Sequence, residues 1–306
     1  MVGVPTDPGQ VATPVVTGPD RQLLDRLLTR CRFPPRGQLA TCAFSGGPDS
    51  TALIALAAAA GCDVVAVHVD HGLRPSSAAE AARAAAIADS LGVSFRSVKV
   101  VVEPGPNLEE RARAARRSAL PDEALTGHTA DDQAGTVLLN LLRGAGLDGL
   151  AGMRPANHPI LDLRRSETEA VCTYEGLIPF TDPTNADPVH RRNRVRNELL
   201  PLLDDIAKRD VAAVLSRQAA LLRDEADVLD VLAAAVDPTD AVALMATPPA
   251  LARRAVRKWL THGQNHPPDA ATVERVLAVA HGVAKGTDVG GHRRVLRTKN
   301  VLRLEQ

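Results

Sequence analysis

Aromatic residues are scarce in this chain of 306 residues, which contains four Phe, one Tyr and one Trp. RNA-recognition modules that stack bases on a sheet require exposed aromatic side chains at fixed positions. The scarcity excludes that kind of module and predicts a core built mainly from Ala, Val and Leu. Any nucleic acid would have to be held by other contacts.

Cysteine is also rare, and Cys31, Cys42, Cys62 and Cys172 include no CxxC pair. This pattern indicates a reducing, cytoplasmic environment and neither a disulfide framework nor a zinc site. The most apolar run, Leu53 to Cys62, is about half the ~20 residues that a membrane span requires. The first twenty residues lack the basic start of a signal peptide and are predicted to be a disordered leader. We therefore expect a protein without membrane contact.

Net charge is absent as well, because 36 basic and 36 acidic residues cancel. The balance argues at first sight against a polyanionic partner. It conceals an uneven distribution, however, since residues 251–306 contain eleven basic and four acidic residues. Of the basic residues 31 are Arg, whose planar guanidinium suits phosphate groups. The sequence thus predicts a basic C-terminal region.

From residue 38 onward, short apolar runs alternate with helical patterns, which is typical of βαβ units around a parallel sheet. Strands are predicted at residues 39–44, 63–69, 93–102, 124–127 and 160–163, and helices at 50–60, 76–91, 107–120 and 131–143. Helices dominate after Leu163, including a long one over 207–235. Two further helices, near 249–262 and 269–282, precede a closing pair of strands over 286–304 that turns at Gly290-Gly291. This organisation predicts a leader (1–20), an α/β domain (21–205), a connecting helix (206–235) and a smaller, mainly helical basic domain (236–306).

The segment Ser45-Gly46-Gly47-Pro48-Asp49-Ser50 lies between a predicted strand and a predicted helix. Two glycines let backbone N–H groups approach an anion, the serines add donors, and the helix N-terminus attracts negative charge. Pro48 suits the first helical turn. No Gly-Lys pair follows, so the segment is not a Walker loop. It predicts a phosphate site in which Asp49 would bind Mg²⁺; the alternative is a plain turn capped by Ser or Asp.

The SGGxDS pattern resembles the signature of the PP-loop ATP pyrophosphatases, and further motifs resemble the tRNA(Ile)-lysidine synthetase family within them. These motifs run in order over residues 38–205: HVDHGLR at 68–74, NxExxARxxR at 107–116, GHxxDDQ at 127–133, RGxGLxGLxGM at 143–153, Arg164-Arg165 before Glu167, DPTN at 182–185, and RRNRVR at 191–196. Two positions differ from the family pattern. Gly135 stands where the family usually has Glu, and Arg117 replaces an aromatic residue.

The resemblance implies a PP-loop catalytic domain followed by a tRNA-binding domain. It implies ligation of L-lysine to C2 of the wobble cytidine of isoleucine tRNA with a CAU anticodon, using ATP and Mg²⁺ and releasing AMP and pyrophosphate. The implied ATP-binding residues are Ser45, Gly46, Gly47, Pro48, Asp49, Ser50, Asp70, Arg74 and Arg113. Asp70 could instead cap a helix, and the two arginines could be solvated. The lysine-binding residues, the tRNA nucleotides that are read and the oligomeric state stay open, a homodimer being one option.

His128 is expected at the carboxyl edge of the sheet, with Asp132 one helical turn further on. A histidine near a carboxylate can accept a proton from the lysine ammonium group, so both are candidate catalytic residues beside Asp49. The alternative is that His128 only caps the next helix. Four arginines within six residues suggest a tRNA-phosphate contact rather than a solvated helix face: Arg191, Arg192, Arg194 and Arg196.

Three other functions are compatible with a PP-loop. A tRNA thiolase should carry paired cysteines, which are absent. Small-molecule amidoligases lack the arginine-rich tail domain and the ordered motifs seen here. A non-catalytic nucleotide sensor would keep SGGPDS but would not need His128 and Asp132.

Overall fold

The computed structural model describes residues 21–70, 77–101, 111, 114–115, 117–180, 187, 189–264 and 266–306. The chain divides into two compact units. The first contains the residues up to Gly144 together with Gly152–Arg217, and the second contains Ala145–Ala151 with Gln218–Gln306. Each unit has a hydrophobic core of its own.

The first unit begins with α1 and continues with an alternation of strands and helices. The elements are α1 (Arg21–Leu28), β1 (Leu39–Ala43), α2 (Pro48–Ala59), β2 (Asp63–Asp70), α3 (Ser77–Ser90) and β3 (Ser94–Lys99). The strands form a parallel sheet in the order β1-β2-β3, in which Leu39 pairs with Asp63 and Val65 with Ser94. The predicted α/β fold is confirmed.

Helix α2 is the central helix of this unit, and its residues 50–57 are all buried. Its many alanines suit that position, because small side chains let a helix approach its neighbours closely. Phe44, Leu53 and Leu56 are almost completely buried in the same core. The apolar run over 53–62 therefore belongs largely to a core helix. Within the described residues, no helix is long and apolar enough to cross a membrane.

Further helices follow β3: α4 (Ala130–Leu142), α5 (Leu147–Leu150), α6 (Arg165–Tyr174), α7 (Arg191–Arg194) and α8 (Leu200–Ala207). A π-helical turn, Val195–Leu199, joins α7 to α8. Pro201 cannot donate the backbone hydrogen bond that an α-helix requires, and the wider turn directly before it accommodates this loss. Of the helix predicted over 107–120, residues 111, 114, 115 and 117–120 are described; those up to 118 are helical, and 119 and 120 form a turn and a bend.

Two predicted strands of the first unit do not form as expected. Within 124–127 only Leu125 pairs, in a parallel bridge with Cys42. The strand over 160–163 is wrong, because Leu161 N–H donates to His158 O and Leu163 N–H to Ile160 O in consecutive turns. The run is apolar because Ile160, Leu161 and Leu163 are buried.

Helix α9 (Val211–Ala233) leads along the chain into the second unit. There α10 (Ala241–Ala246), α11 (Pro249–Thr261) and α12 (Ala270–Ala280) precede an antiparallel sheet of β4 (Gly286–Gly290), β5 (Arg293–Thr298) and β6 (Val301–Glu305). The predicted pair of strands is wrong, since there are three. The second turn contains Lys299 at φ 57°, a conformation for which the sequence offers no glycine as a signal.

Two arginines of β5 bind the ends of helices in this unit. Arg293 Nη2 donates to Leu260 O in the last turn of α11 at 3.0 Å. Arg297 Nη1 donates to Ala280 O, the last residue of α12, at 2.5 Å. Both carbonyls lie where a helix leaves its acceptors unpaired and its dipole is negative. Part of the basic character of this unit therefore stabilises its fold.

Candidate active site

The loop over residues 45–50 connects β1 to α2 as the sequence predicts. Gly46 has φ 80°, a backbone conformation that favours glycine. The hydroxyl of Ser50 accepts from Ser45 N–H at 3.2 Å, donates to Gly47 O at 3.0 Å and lies 3.1 Å from the Ser45 hydroxyl. The two serines thus close the loop over the N-terminus of α2. This arrangement is suited to bind an anion.

Neighbouring segments fix the loop from three sides. His68 lies 3.0 Å from Phe44 O through Nδ1, which must carry the hydrogen because a carbonyl oxygen only accepts. Phe180 N–H donates to Gly46 O at 2.8 Å. A Cβ atom on Gly127 would lie 2.7 Å from Asp49 O and 3.0 Å from Ser50 N. Glycine at 127 therefore allows the segment before α4 to touch the first turn of α2.

Asp49 is bound by two residues of α6. Thr168 Oγ1, which is fully buried, donates to Asp49 Oδ1 at 2.6 Å, and Arg165 Nη1 lies 3.6 Å from Asp49 Oδ2. Burial raises the pKa of Asp49, and the contacts with Thr168 and Arg165 offset only part of that effect. Sequence reasoning did not identify Thr168 or Arg165 as partners of Asp49; the only signal was the Arg164-Arg165 motif.

The start of α6 is anchored to α4 through Asp131. Its carboxylate accepts from Arg164 Nε at 3.0 Å, Arg164 Nη2 at 2.9 Å and Arg165 N–H at 2.8 Å. Burial opposes ionisation of Asp131, but these donors outweigh it and lower its pKa. The first acid of the Asp131-Asp132 pair therefore positions the helix that binds Asp49.

Asp132 is bound differently from its neighbour. It lies at the third position of α4, where Oδ2 accepts from Thr129 N–H at 3.1 Å in a capping box. Oδ1 accepts from Arg196 Nη2 at 2.7 Å and from Arg192 Nη2 at 3.3 Å. Burial opposes ionisation, but the electrostatic interactions with Arg192, Arg196 and His128 together lower the pKa of Asp132. Asp132 is thus a buried carboxylate held by two cations.

His128 precedes Thr129, the residue that caps α4, so His128 itself is not the cap. Its Nδ1 lies 2.8 Å from Thr126 Oγ1 and 3.3 Å from His158 Nδ1. The Thr126 hydroxyl also lies 2.5 Å from His158 Nδ1. The predicted proximity of His128 to Asp132 is reflected in their electrostatic interaction. No motif of the sequence indicates His158 as a neighbour of His128.

The four arginines of the 191–196 run have different environments. Arg192 and Arg196 bind Asp132, and Arg194 binds Glu198 four residues further on, with Nη2 2.9 Å from Oε2. Arg191 is exposed. Acidic partners therefore exist although none is interleaved in the run, and the tRNA contact of these residues stays a prediction.

Asp70 is buried at the carboxyl end of β2, as predicted. Arg74, Arg113 and most of the 71–74 and 107–116 motif residues lie outside the described part of the chain, as do residues 1–20 and the DPTN motif at 182–185. The assignment of Arg74 and Arg113 to ATP stays a prediction.

The donor set around Asp49 fits Mg²⁺ bound together with phosphate. Within the described residues, no group of three His, Cys, Asp or Glu side chains is arranged as a metal site. Mg²⁺ requires fewer protein ligands, since it commonly binds one or two carboxylates together with substrate phosphates and water. Asp49, beside the anion-binding loop, provides such a carboxylate.

The cysteines do not form a reactive or metal-binding group. All four are free thiols, and burial raises the pKa of Cys31 and Cys42 to about 12 and that of Cys172 to about 11. Protonated thiols are poor nucleophiles and poor metal ligands. This agrees with the argument against a thiolase.

Comparisons with known proteins place these features in a family. Residues 22–203 match the PP-loop domain. The chain is 44% identical over 239 residues to tRNA(Ile)-lysidine synthase of Mycobacterium tuberculosis, covering 72% of this chain and 74% of that one. It is 44% identical over 248 residues to the synthase of Rhodococcus erythropolis, covering 76% of each, and 45% identical over 235 residues to that of Nocardia farcinica, covering 71% and 74%.

The chain belongs to the tRNA(Ile)-lysidine synthase family. Among solved structures, a U34-tRNA thiolase from Methanococcus maripaludis with its [4Fe-4S] cluster matches with a TM-score of 0.52 at 16% identity, covering 66% of this chain and 79% of that one. A likeness at that identity concerns the fold alone. The match to the PP-loop domain and the 44% identity to curated synthases confirm the family resemblance drawn from the motifs.

Proposed function

We propose that this protein is a cytoplasmic ligase that attaches L-lysine to C2 of the wobble cytidine of isoleucine tRNA with a CAU anticodon. In the first step the cytosine O2 attacks the α-phosphate of ATP, giving an adenylated cytidine and pyrophosphate. In the second step the lysine amine displaces AMP from C2, and the product is lysidine. Both steps depend on positioning and charge stabilisation more than on an enzyme nucleophile.

The observation that carries this proposal is the meeting of the 45–50 loop with the segment before α4. The closeness of Gly127 to the backbone of Asp49 and Ser50, and the electrostatic interaction of Asp132 with Asp49, support a role for His128 and Asp132 beside the loop that we propose binds phosphate. The second step requires a group that accepts a proton, and it requires that group beside the bound adenylate. Membership of the synthase family gives the substrates their expected identity.

For the first step, Ser45, Gly46, Gly47 and Ser50 would hold the phosphates at the N-terminus of α2, which begins with Pro48. Asp49 would hold Mg²⁺, which when bound supplies positive charge to the phosphates. Thr168 orients that carboxylate, and Arg165 supplies a positive charge beside it. Arg74, Arg113 and Asp70 are proposed to complete the nucleotide site.

For the second step, the lysine amine must be neutral when it attacks, so a base must take its proton. His128 Nδ1 is occupied by Thr126, and Nε2 is therefore the nitrogen that would accept it. Asp132 would stabilise the resulting imidazolium electrostatically. Arg192 and Arg196 keep Asp132 ionised, so it would serve as a fixed negative charge.

The tRNA would be bound mainly by arginine on its phosphate backbone, because few aromatic side chains are present for stacking. Arg191 and Arg194 are the exposed arginines of the 191–196 run and would contact it directly. Arg192 and Arg196 are ion-paired with Asp132, so their role would be to keep that carboxylate ionised. The basic region over 236–306 would hold a more distant part of the tRNA.

The test is to incubate the protein with ATP, Mg²⁺, L-lysine and an isoleucine tRNA with a CAU anticodon, and to analyse the digested nucleosides by mass spectrometry. Lysidine should appear and should require all four components. Its absence, with an active control synthase, would refute the proposal. Modification of methionine tRNA with the same anticodon would refute the proposed specificity.

The alternative of a nucleotide sensor predicts ATP binding without chemistry. It is disfavoured because a sensor does not need the pairing of Asp132 with two arginines or a histidine beside the loop. Pyrophosphate release that depends on tRNA would exclude it.

A further inference from the structure

Two histidines share one hydroxyl group beside the candidate active site. The Thr126 hydroxyl lies 2.8 Å from His128 Nδ1 and 2.5 Å from His158 Nδ1, and the two nitrogens are 3.3 Å apart. The rings meet edge to face, with centroids 4.7 Å apart. Thirty residues separate the histidines in the sequence, so this cluster is a product of the fold.

Hydrogen-bond counting couples the protonation of the two rings. A threonine hydroxyl has one hydrogen to donate and lone pairs to accept, and a neutral imidazole has one N–H and one acceptor nitrogen. If the hydroxyl donates to one Nδ1, the other Nδ1 must donate to the hydroxyl. The hydroxyl could also donate to Asn157 O, but the distance from Thr126 Oγ1 to that oxygen is 3.3 Å, which is longer than its distance to either histidine nitrogen.

We propose that His158 is a positioning residue that sets the tautomer of His128 through Thr126. His158 Nδ1 accepts the Thr126 hydroxyl hydrogen, the Thr126 oxygen accepts the Nδ1 hydrogen of His128, and the lone pair of His128 lies on Nε2. This inference rests on the proposed function, because only that tautomer lets His128 accept a proton from lysine at Nε2.

The surroundings of His158 favour the acceptor role. Burial lowers the pKa of His158 and outweighs the opposing effects of the Asn157 backbone and of Asp132, so the ring is neutral and keeps a lone pair at neutral pH. Among the described residues, Asp132 on α4 interacts electrostatically with both rings, and it binds Arg192 on α7 and Arg196 on the π-helical turn. Together these three groups carry a net charge of +1, so they do not favour protonation of the two rings.

The tautomer can be measured without substrate. A long-range ¹⁵N–¹H spectrum of the full chain, labelled at histidine, distinguishes Nδ1–H from Nε2–H, and His128→Gln assigns the signal of His128. We expect Nδ1–H for His128 in the unmodified protein and in Thr126→Ser. In Thr126→Val and His158→Ala the signal should shift to Nε2–H or to a mixture of both forms. An Nε2–H tautomer in the unmodified protein, or no change in His158→Ala, would overturn the proposal.

The two chemical steps give a second readout. Transfer of lysine to adenylated tRNA should slow about tenfold in His158→Ala, a fraction of the roughly 10²–10⁴-fold that a general base contributes. Pyrophosphate release without lysine should stay within about twofold, which also shows that the variant is folded. His158→Asn, whose Oδ1 can take the place of Nδ1 and accept from Thr126, should restore most of the transfer rate. Equal slowing of both steps, or no rescue by asparagine, would indicate a merely structural residue and contradict the proposal.

Thr29→Val is the matched control for Thr126→Val, because Thr29 Oγ1 donates only to Arg26 O, in the turn after α1. It should change neither the tautomer nor the rates. If the unmodified protein forms no lysidine, the proposed function fails and the kinetic role of His158 fails with it. The spectrum would still report whether the two rings are coupled, so the two failures can be told apart.

Discussion

Gly127→Ala tests whether the contact between the 126–128 segment and the 45–50 loop matters for activity. The added Cβ would lie 2.7 Å from Asp49 O, 2.8 Å from Asp49 C and 3.0 Å from Ser50 N. Carbon contacts are normally at least ~3.5 Å, so the start of α2 would have to move by roughly 0.7 Å. All three neighbours are backbone atoms, and no rotamer change can relieve the contact. Overpacking of this kind costs about 1–3 kcal/mol.

The same shift displaces Asp49 and Ser50 relative to bound phosphate. A displacement of about 1 Å can cost about 10²-fold in rate, so tRNA-dependent pyrophosphate release should fall about tenfold or more. Urea unfolding followed by circular dichroism measures the loss of stability. Gly135→Ala is the control for stability, because a Cβ there meets only Val195 Cγ1 at 3.9 Å and should stabilise the helix by about 0.5–1 kcal/mol. Unchanged stability and pyrophosphate release in Gly127→Ala would refute the proposed contact.

Three further substitutions separate the roles of the acidic residues. Asp49→Asn should abolish pyrophosphate release yet stabilise the fold at pH 7, because the raised pKa of Asp49 means that its ionised form opposes folding at neutral pH; full activity would refute its metal role. Thr168→Val should cost about 1–2 kcal/mol and raise the Mg²⁺ concentration needed for half-maximal release, whereas Thr168→Ser should not. Asp132→Asn should lower lysine transfer and flatten the dependence of stability on pH. The pKa of Asp132 is lowered in the folded state, so the ionised carboxylate contributes stability above about pH 3.9 and this contribution is lost as the pH falls further. Urea unfolding at pH 7 and at pH 3 measures this loss in both proteins. An equal loss of stability between the two pH values in the variant and the parent would contradict the prediction.

Local sequence features predicted the parts of the site that depend on neighbouring residues. The 45–50 loop was predictable because a strand, two glycines, a proline and a helix must follow each other for the chain to bind phosphate there. His128 and Asp132 were predictable as neighbours because only four residues separate them across the start of a helix, although His128 lies before the cap Thr129 and not in the helix itself. In each case the geometry is set within a few residues, and the backbone of the structure confirms it.

The partners of these residues come from distant parts of the chain and could not be read from a single sequence. Thr168 lies 119 residues from Asp49, and His158 lies 32 residues from Thr126. Asp131 and Asp132 are adjacent and chemically identical, yet they point in directions about 100° apart on a helix and bind different arginines. The packing of α6 and α7 against α4 decides that Asp131 binds the start of α6, the helix that contacts Asp49, and that Asp132 lies beside His128.

The arginine run was partly predictable in hindsight from helical spacing. Arg192 and Arg196 are four residues apart and therefore share a helix face, which the structure turns toward Asp132. Arg194 lies on another face, four residues before Glu198. A count of basic residues within six positions ignores this geometry. The buried acid on α4 attracts two of the four arginines, and only the other two face solvent.

Internal partners also limit how many basic side chains of the C-terminal region would be able to bind tRNA. Arg254 is almost buried between Asp148 and Asp230, and Arg293 and Arg297 bind the carbonyl ends of helices. Their charges are compensated within the unit, by carboxylates or by helix dipoles, so releasing them to bind phosphate would cost stability. Phosphate contacts are therefore expected from the exposed basic residues that are not used in this way: Lys258, Lys285, Lys299 and Arg303. The excess of positive charge in the region indicates that a polyanion can bind, but the internal partners decide which side chains are able to reach it.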